Sequence, residues 1–442
     1  MSRSRKIVLG IVALLVVALV AAYWWQRPLL LTGTGYAAHN ACALDRVAGR
    51  GDPEGDLPPN PLVPVVRTSA DGDETTGSIL GALARQHAWY APGYGCTLAD
   101  ERPDLPEPVE VPGANPYAAA AAPGDVPPGV AEALAAAFGD DLPASDREDL
   151  GTRAVVVLKD GELVAERYAD GFDATTPQLG WSMTKSVTDL IVGRLVHDGE
   201  LALDEDGLRP EWTDERAGIT VRDLLQMTSG LEWDETYALN TPITRMLYLE
   251  PDMGAYVAGQ GLAHRPGTYL QYSSGSTTLL CDILAERTGL GPNLPRETVF
   301  APLGLGSAVL EPDPTGTPVC SSYLWASPRD WAAIGQFALQ DGVWEGERLL
   351  PEGWMEESAT AVDVESFEDE PYGRSWWTNA APDGALVEPG LPADAYFAEG
   401  HDGQWIVVVP SEGLVMVRLG FTPEREDNRV LSSAVSLVDA LR

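Results

Sequence analysis

The sequence predicts an α+β fold whose antiparallel sheet is assembled from both ends of the chain, with helices between. Residues 154–158 and 162–168 are runs of strand formers around Asp160-Gly161, a strong two-residue hairpin turn. Far along the chain, residues 405–410 and 414–421 are two more strands around the turn Pro410-Ser411-Glu412-Gly413. Between these pairs the apolar residues recur at helical spacing. With strands at both ends and helices in the middle, the sheet draws on both ends of the sequence. The 442 residues are 45% hydrophobic, which supplies a large core and excludes disorder throughout.

The helices are justified in turn. One covers residues 130–138. The next opens near Ser182, repeats Met183, Val187, Leu190, Ile191 and Leu195 on one face, and stops at Gly199. Shorter ones cover 219–227, ended by Gly230, and 277–287, ended by Gly289. Another covers 327–339. The last starts near Asn428 and carries Leu431, Ala434, Val435, Val438 and Leu441 on one face. Residues 62–66 and 79–83 read as short strands, or a strand and a helical turn. Prolines crowd residues 101–128, which reads as an extended linker or wrapping arm.

Residues 7–25 carry no charge and would span about 28 Å as a helix, close to the thickness of bilayer hydrocarbon. Arg3, Arg5 and Lys6 precede them, favouring a cytoplasmic N-terminus, and Tyr23, Trp24 and Trp25 stand where an interfacial belt would. An anchor is favoured over a signal cleaved near Val20-Ala21-Ala22. Either reading puts the remainder outside the cytoplasm. The organisation expected is an anchor or signal over 1–27, an extension and Pro-rich linker over 28–128, and a catalytic domain over 129–442.

In that compartment the four cysteines read as disulfides. Cys42 and Cys96 pair on proximity in the chain. Cys281 and Cys320 then pair as the remainder, or stay as buried thiols. Acidic residues number 66 against 29 basic ones, a net charge of −37, and no basic stripe follows the first six residues. Nucleic acid is therefore not an expected partner. With no CxxC, no HExxH and scattered histidines, no metal site is expected, and no other cofactor. GxSxG and the phosphate-binding loop are also missing.

Ser182-Met183-Thr184-Lys185 opens the first long helix. Serine and lysine at i and i+3 share a face, so the amine reaches the hydroxyl. A serine hydroxyl is a weak nucleophile until a base takes its proton, and burial lowers a lysine's pKa enough for that task. The helix N-terminus adds N–H donors for a developing oxyanion. Taken alone, the same four residues also suit an N-cap serine with a surface lysine. Tyr272-Ser273-Ser274 stands just ahead of a helix and offers a phenol for proton transfer, with Tyr269 as a rival. Gly400-His401-Asp402-Gly403-Gln404 leads into a strand, where glycine lets backbone N–H groups approach a substrate carbonyl.

Five ordered blocks carry a family resemblance: LGWSMTKSVTDLIVGRLVHDGEL, VRDLLQMTSGL, PGTYLQYSSGSTTLL, SSYLWASPRDWAAIGQFALQDGVWEGERLLPEGW and EGHDGQWIVVVPSEGLVMVRLG. Together, over residues 130–442, they resemble the serine β-lactamase-related hydrolases. The closest likeness is to the class C-like branch with esterases, D-amino-acid peptidases and 6-aminohexanoate-dimer hydrolase. The stretch with Cys42 and Gly93-Tyr94-Gly95-Cys96-Thr97-Leu98 is similar to the N-terminal extension of membrane-anchored members.

The resemblance implies a β-lactamase/transpeptidase-like fold, an antiparallel sheet flanked by helices with a mostly helical second lobe. It implies Ser182 as the acylated nucleophile, Lys185 as its proton acceptor and Tyr272 as the relay to the leaving group. It matches His401-Asp402-Gly403 to the third motif and gives the oxyanion hole to the backbone N–H groups of Ser182 and Gln404. Ser274, His401, Asp402 and Gly403 would bind substrate. Ser274 replaces the usual asparagine of lactamases and His401 the usual lysine, which implies weak β-lactamase activity or none. The expected protein is a membrane-anchored extracytoplasmic serine hydrolase acting on a small ester or amide. A cell-wall carboxypeptidase of penicillin-binding type and an inert binding protein of the same fold are the alternatives.

Overall fold

The computed structural model describes residues 3–51, 56–58, 60–368, 370–423 and 427–442. Helix α1, Arg3–Arg46, is continuous for 44 residues and runs on past Pro28. Its first part is exposed, as an apolar stretch waiting for another medium would be, whereas residues 32–44 are buried apart from Tyr36. The boundary expected at residue 27 therefore falls inside a helix. The buried part is rich in Gly, Ala and Thr, so other backbones can come close. It packs on an antiparallel meander of β1 (Val66–Asp71), β2 (Glu74–Ile79), β3 (Leu83–Ala91) and β4 (Gly95–Leu98). A Cβ on Gly77 would lie 2.2 Å from the Thr34 carbonyl oxygen, so that crossing requires glycine. The Cys42–Cys96 disulfide ties α1 to β4.

The same helix is fastened to the rest of the chain. His39 pairs with Glu311 at 2.8 Å in a buried setting, and Glu311 also accepts from the Cys96 N–H and the Trp325 indole. Residues 101–127 contain no helix or strand, as their prolines dictate. They wrap the body through bonds such as Val109 N–H to Asn293 and the Tyr117 hydroxyl to the Gly161 carbonyl.

The central sheet has the order β7–β8–β9–β10–β5–β6, every pair antiparallel. Its strands are β5 (Thr152–Lys159), β6 (Glu162–Tyr168), β7 (Trp377–Thr378), β8 (Tyr396–Gly400), β9 (Gln404–Val409) and β10 (Leu414–Gly420). The turn between β5 and β6 has φ of 52° at Asp160 and 82° at Gly161, the left-handed pair that Asp-Gly favours. The sheet is thus built from both ends of the chain, as the sequence predicts, with β7 and β8 as additional strands.

Side chains alternate across it. Val155, Val157, Val407 and Met416 face a core closed by α2 (Pro128–Ala137) and, near the C-terminus, the helix Val430–Leu441. Ala154, Val156, Ile406 and Val417 face the larger core. That core holds α3 (Met183–His197), α4 (Ser274–Thr288), α5 (Pro328–Leu339) and short helices such as Pro242–Leu249. The helix expected over 219–227 is one short turn set, Val221–Leu225, started by a Thr220–Asp223 capping box. The second disulfide, Cys281–Cys320, joins α4 to the segment ahead of Leu324–Ala326.

Candidate active site

Ser182 is the N-cap of α3, and Lys185 lies one turn further along the same face. Lys185 Nζ donates to Ser182 Oγ at 2.8 Å, to Ser274 Oγ at 2.9 Å and to the Ser321 carbonyl at 3.1 Å. Those three bonds satisfy an ammonium's donors. Lys185 is 1% exposed, while Ser182 keeps a partly open face. Burial lowers the lysine's pKa to about 8, and the charge of Glu235 opposes that fall. The Ser321 carbonyl is held by its neighbour Cys320, fixed to α4 by the disulfide.

Tyr272 packs its ring under the lysine, with Nζ 4.6 Å from the ring centroid. It stacks on Trp377 at 5.3 Å and meets Tyr372 edge-on at 5.6 Å. Burial raises its phenol well above the ordinary value, helped by Tyr372 and Glu235, with Ser182 acting in the opposite sense. The phenol is therefore protonated at neutral pH. The rival Tyr269 stacks on His264 at 3.8 Å.

Ser274 sits behind the lysine and is fully buried. Its Oγ accepts from Lys185 and donates to Glu235 Oε1 at 2.5 Å, and its N–H donates to Glu235 Oε2 at 2.9 Å. These bonds occupy the hydroxyl that the resemblance assigned to substrate. Trp233 donates its indole N–H to the same Glu235 oxygen at 2.6 Å. Glu235 was not singled out from the sequence. It lies in a loop distant from both motifs, and only the segment Trp233-Asp234-Glu235-Thr236-Tyr237, dense in aromatic and acidic groups, hinted at it.

The glycine-flanked corner divides its work. Gly400 makes the close approach: a Cβ there would lie 2.1 Å from the Gly180 carbonyl, two residues before Ser182. The His401 ring stacks on Tyr237 at 4.5 Å and meets Trp181, the neighbour of Ser182, edge-on at 5.8 Å. Asp402 has φ of 60° and a buried carboxylate with no hydrogen-bond partner among the described residues. Burial raises its pKa, and His401, 3.4 Å away, acts in the opposite sense. Gly403, at φ of 86°, gives its carbonyl to Arg418, and the Gln404 side chain makes a two-bond contact with the Gly420 backbone. Of the residues assigned to this motif, His401 is the one whose side chain joins the aromatic group around Trp181.

Asp189, one turn beyond Lys185, is another group the sequence did not mark. It is buried against Arg374 at 3.8 Å and the indoles of Trp354 and Trp376, both at 3.2 Å. Burial raises its carboxyl to about 6, with Arg374 opposing. Among the described residues, no group of three or more His, Cys, Asp or Glu side chains is arranged to hold a metal.

This chain is 26% identical over 307 residues to the 6-aminohexanoate-dimer hydrolase of Paenarthrobacter ureafaciens, covering 63% of this chain and 74% of that one. Its fold matches a protein of Bacillus anthracis assigned to the same hydrolases, with a TM-score of 0.57 and 22% identity, over 74% of this chain and 89% of the other. It also matches a family VIII carboxylesterase, with a TM-score of 0.54 and 18% identity, over 72% and 98%. The family described as Beta-lactamase matches residues 135–437, more than half of the chain. With the motif residues gathered in that span, the chain belongs to the Beta-lactamase family, whose fold serves hydrolases.

Proposed function

We propose that the protein is a serine hydrolase that cleaves a small ester or amide through an acyl-enzyme on Ser182. The observation that carries this reading is the 2.8 Å bond between Ser182 Oγ and Lys185 Nζ, with the amine buried enough to lose its proton near pH 8. Neutral Lys185 takes the Ser182 proton as Oγ attacks the carbonyl carbon. The developing oxyanion sits at the N-terminus of α3, where the Ser182 N–H and the backbone of the Gly400–Gln404 corner, including the Gln404 N–H, supply donors. Tyr272 hands its proton to the leaving group, and Lys185, now carrying the proton taken from Ser182, reprotonates the phenolate. Water then attacks the acyl-enzyme by the reverse route.

The substrate class draws on the named hydrolase relatives, one acting on a 6-aminohexanoate dimer and one a carboxylesterase. His401 at the third-motif position leaves no fixed cation for a β-lactam carboxylate, which favours a neutral ester or amide. The exposed apolar half of α1 and the two disulfides support a membrane-anchored, extracytoplasmic setting.

The test is intact-mass spectrometry during the first seconds of reaction. The substrates are p-nitrophenyl acetate and butyrate, a chromogenic cephalosporin and a short aminohexanoate amide. Wild type should turn over with a transient acyl mass, and Ser182→Ala should do neither at an unchanged melting temperature. Turnover retained by Ser182→Ala would sink the assignment. A persistent cephalosporin adduct without turnover would favour a penicillin-binding role instead.

A further inference from the structure

Trp181, the residue immediately before the nucleophile, has φ of 48°, in the left-handed region that a bulky side chain rarely adopts. Such a conformation persists only where the surroundings over-determine it. On the backbone side, a Cβ on Gly180 would lie 2.2 Å from the Trp331 ring, and the Trp181 carbonyl accepts from both the N–H and the hydroxyl of Thr184. On the ring side, the Trp181 indole is walled by Tyr237 at 6.2 Å, Tyr323 at 6.3 Å, His401 at 5.8 Å and Tyr36 at 6.2 Å.

Three of these walls come from the hydrolase body. The fourth, Tyr36, comes from α1, outside residues 135–437 matched by the family. Its ring is held in turn by stacking on Tyr248 at 5.2 Å. The helix approaches closely there, because a Cβ on Gly35 would lie 3.0 Å from the Tyr248 carbonyl oxygen. Tyr36 is also the one residue in the 32–44 stretch of α1 that is not fully buried.

We propose that Tyr36 is a positioning residue of the reaction: by packing on Trp181 it holds the left-handed peptide from which Ser182 is presented to Lys185. The N-terminal extension is then a working part of the active site as well as a brace. Without that wall the Trp181 peptide relaxes toward negative φ, and Ser182 Oγ turns away from Lys185 Nζ. The loss falls on the acylation step, because the substrate still meets the rest of the site. This inference rests on Ser182 being the nucleophile.

The experiment uses the full chain in detergent micelles and follows the acylation burst with p-nitrophenyl butyrate. Tyr36→Ala should slow the burst about tenfold or more while the substrate concentration giving half the maximal burst rate changes less than about twofold, the pattern of a misplaced nucleophile. Tyr36→Phe should restore the rate, since the ring and not the hydroxyl makes the contact. Where Tyr36→Ala melts early, Tyr36→Leu replaces it, keeping bulk in the helix while removing the aromatic face. Thr34→Val serves as the control. It breaks the buried bond from Thr34 to the Ala84 carbonyl, on the same helix, and should lower the melting temperature without slowing acylation. Wild-type burst rates in Tyr36→Ala or Tyr36→Leu would overturn the proposal, as would a Tyr36→Phe variant as slow as Tyr36→Ala. Ser182→Ala is run alongside: if it is silent while Tyr36→Ala acylates normally, only the positioning role falls. A Ser182→Ala enzyme that still turns over removes the nucleophile reading itself.

Discussion

Ser274 Oγ accepts a hydrogen bond from Lys185 Nζ at 2.9 Å while giving its own proton to Glu235. The lysine is thereby linked to a carboxylate it does not touch. Burial pulls the amine toward its neutral, basic form and Glu235 pulls it back toward the ammonium, so its pKa is a balance between burial and one charged neighbour.

The first consequence is a pH profile. If neutral Lys185 is the base, the acylation rate should rise about tenfold per pH unit below about 8 and level off above it. Tyr272 adds no falling limb near that midpoint, because burial keeps its phenol protonated well past its ordinary range. Burst amplitudes and rates between pH 6 and 10 check this. A rate independent of pH across that range would remove lysine from the base role.

Neutralising Glu235 should move that midpoint. Glu235→Gln removes the charge that favours the ammonium, so the amine should lose its proton at lower pH, and the rising limb should shift downward. Gln keeps an acceptor for Ser274 and Trp233, which limits structural damage. An unshifted midpoint would mean that Glu235 acts only as a scaffold.

Stability should respond to pH through the same lysine. Its folded pKa, about 8, lies below the ordinary unfolded value near 10.4. Between those two values the unfolded chain binds more protons, so stability rises with pH across this window. Below pH 8 both states are protonated and the burial penalty is fully present. Against Lys185→Met, wild type should gain on the order of 2–3 kcal/mol between pH 7 and pH 10. Urea unfolding at both pH values measures it, and a constant gap would contradict the shift.

The Cys42–Cys96 disulfide closes a sequence separation of 54 residues. Removing it with Cys42→Ser and Cys96→Ser should lower stability by about 4 kcal/mol in the chain-entropy description. Non-reducing peptide mapping of wild type verifies the pair first, and denaturant unfolding then measures the loss. Free thiols at both positions would contradict it.

At the third-motif position, His401→Lys would place an ammonium beside Tyr237 and Trp181. The buried carboxylate of Asp402, 3.4 Å from the His401 ring, is the anion nearest that position, and it lies on the inner side, away from the partly open ring. The variant should lower KM for a chromogenic cephalosporin several-fold while leaving butyrate ester turnover within about twofold. Unchanged cephalosporin kinetics would show that His401 does not face the carboxylate-binding side.

Local patterns were legible in the sequence and distant assemblies were not. Ser182 and Lys185 could be placed together because i and i+3 on one helix are neighbours whatever the rest of the chain does. The Asp160-Gly161 hairpin is equally local. Glu235 meets Ser274 across 39 residues, and no periodicity announces such a meeting. Ser274 itself shares a helix start with Tyr272, but which way its hydroxyl points depends on Glu235. The β1–β4 meander was obscure because β1 and β2 are short and carry Thr, Ser and Gly, and β3 carries Arg, Gln and His on a half-exposed face, so the alternation of apolar side chains is weak. The buried part of α1 was missed for a related reason: Gly, Thr and Ala suit close packing against neighbours more than they advertise a helix.

Helix α1 stays helical, through Pro28, between its exposed apolar stretch and the segment that reaches Tyr36. From Trp25 to Tyr36 the axial rise is about 16 Å. With the apolar stretch seated in a bilayer, the enzyme would stand on a stiff post, at a set height and with restricted tilt. The site around Ser182 would sweep a thin layer parallel to the surface, and a substrate's chance of being cut would depend on how long it dwells in that layer as well as on its bulk concentration.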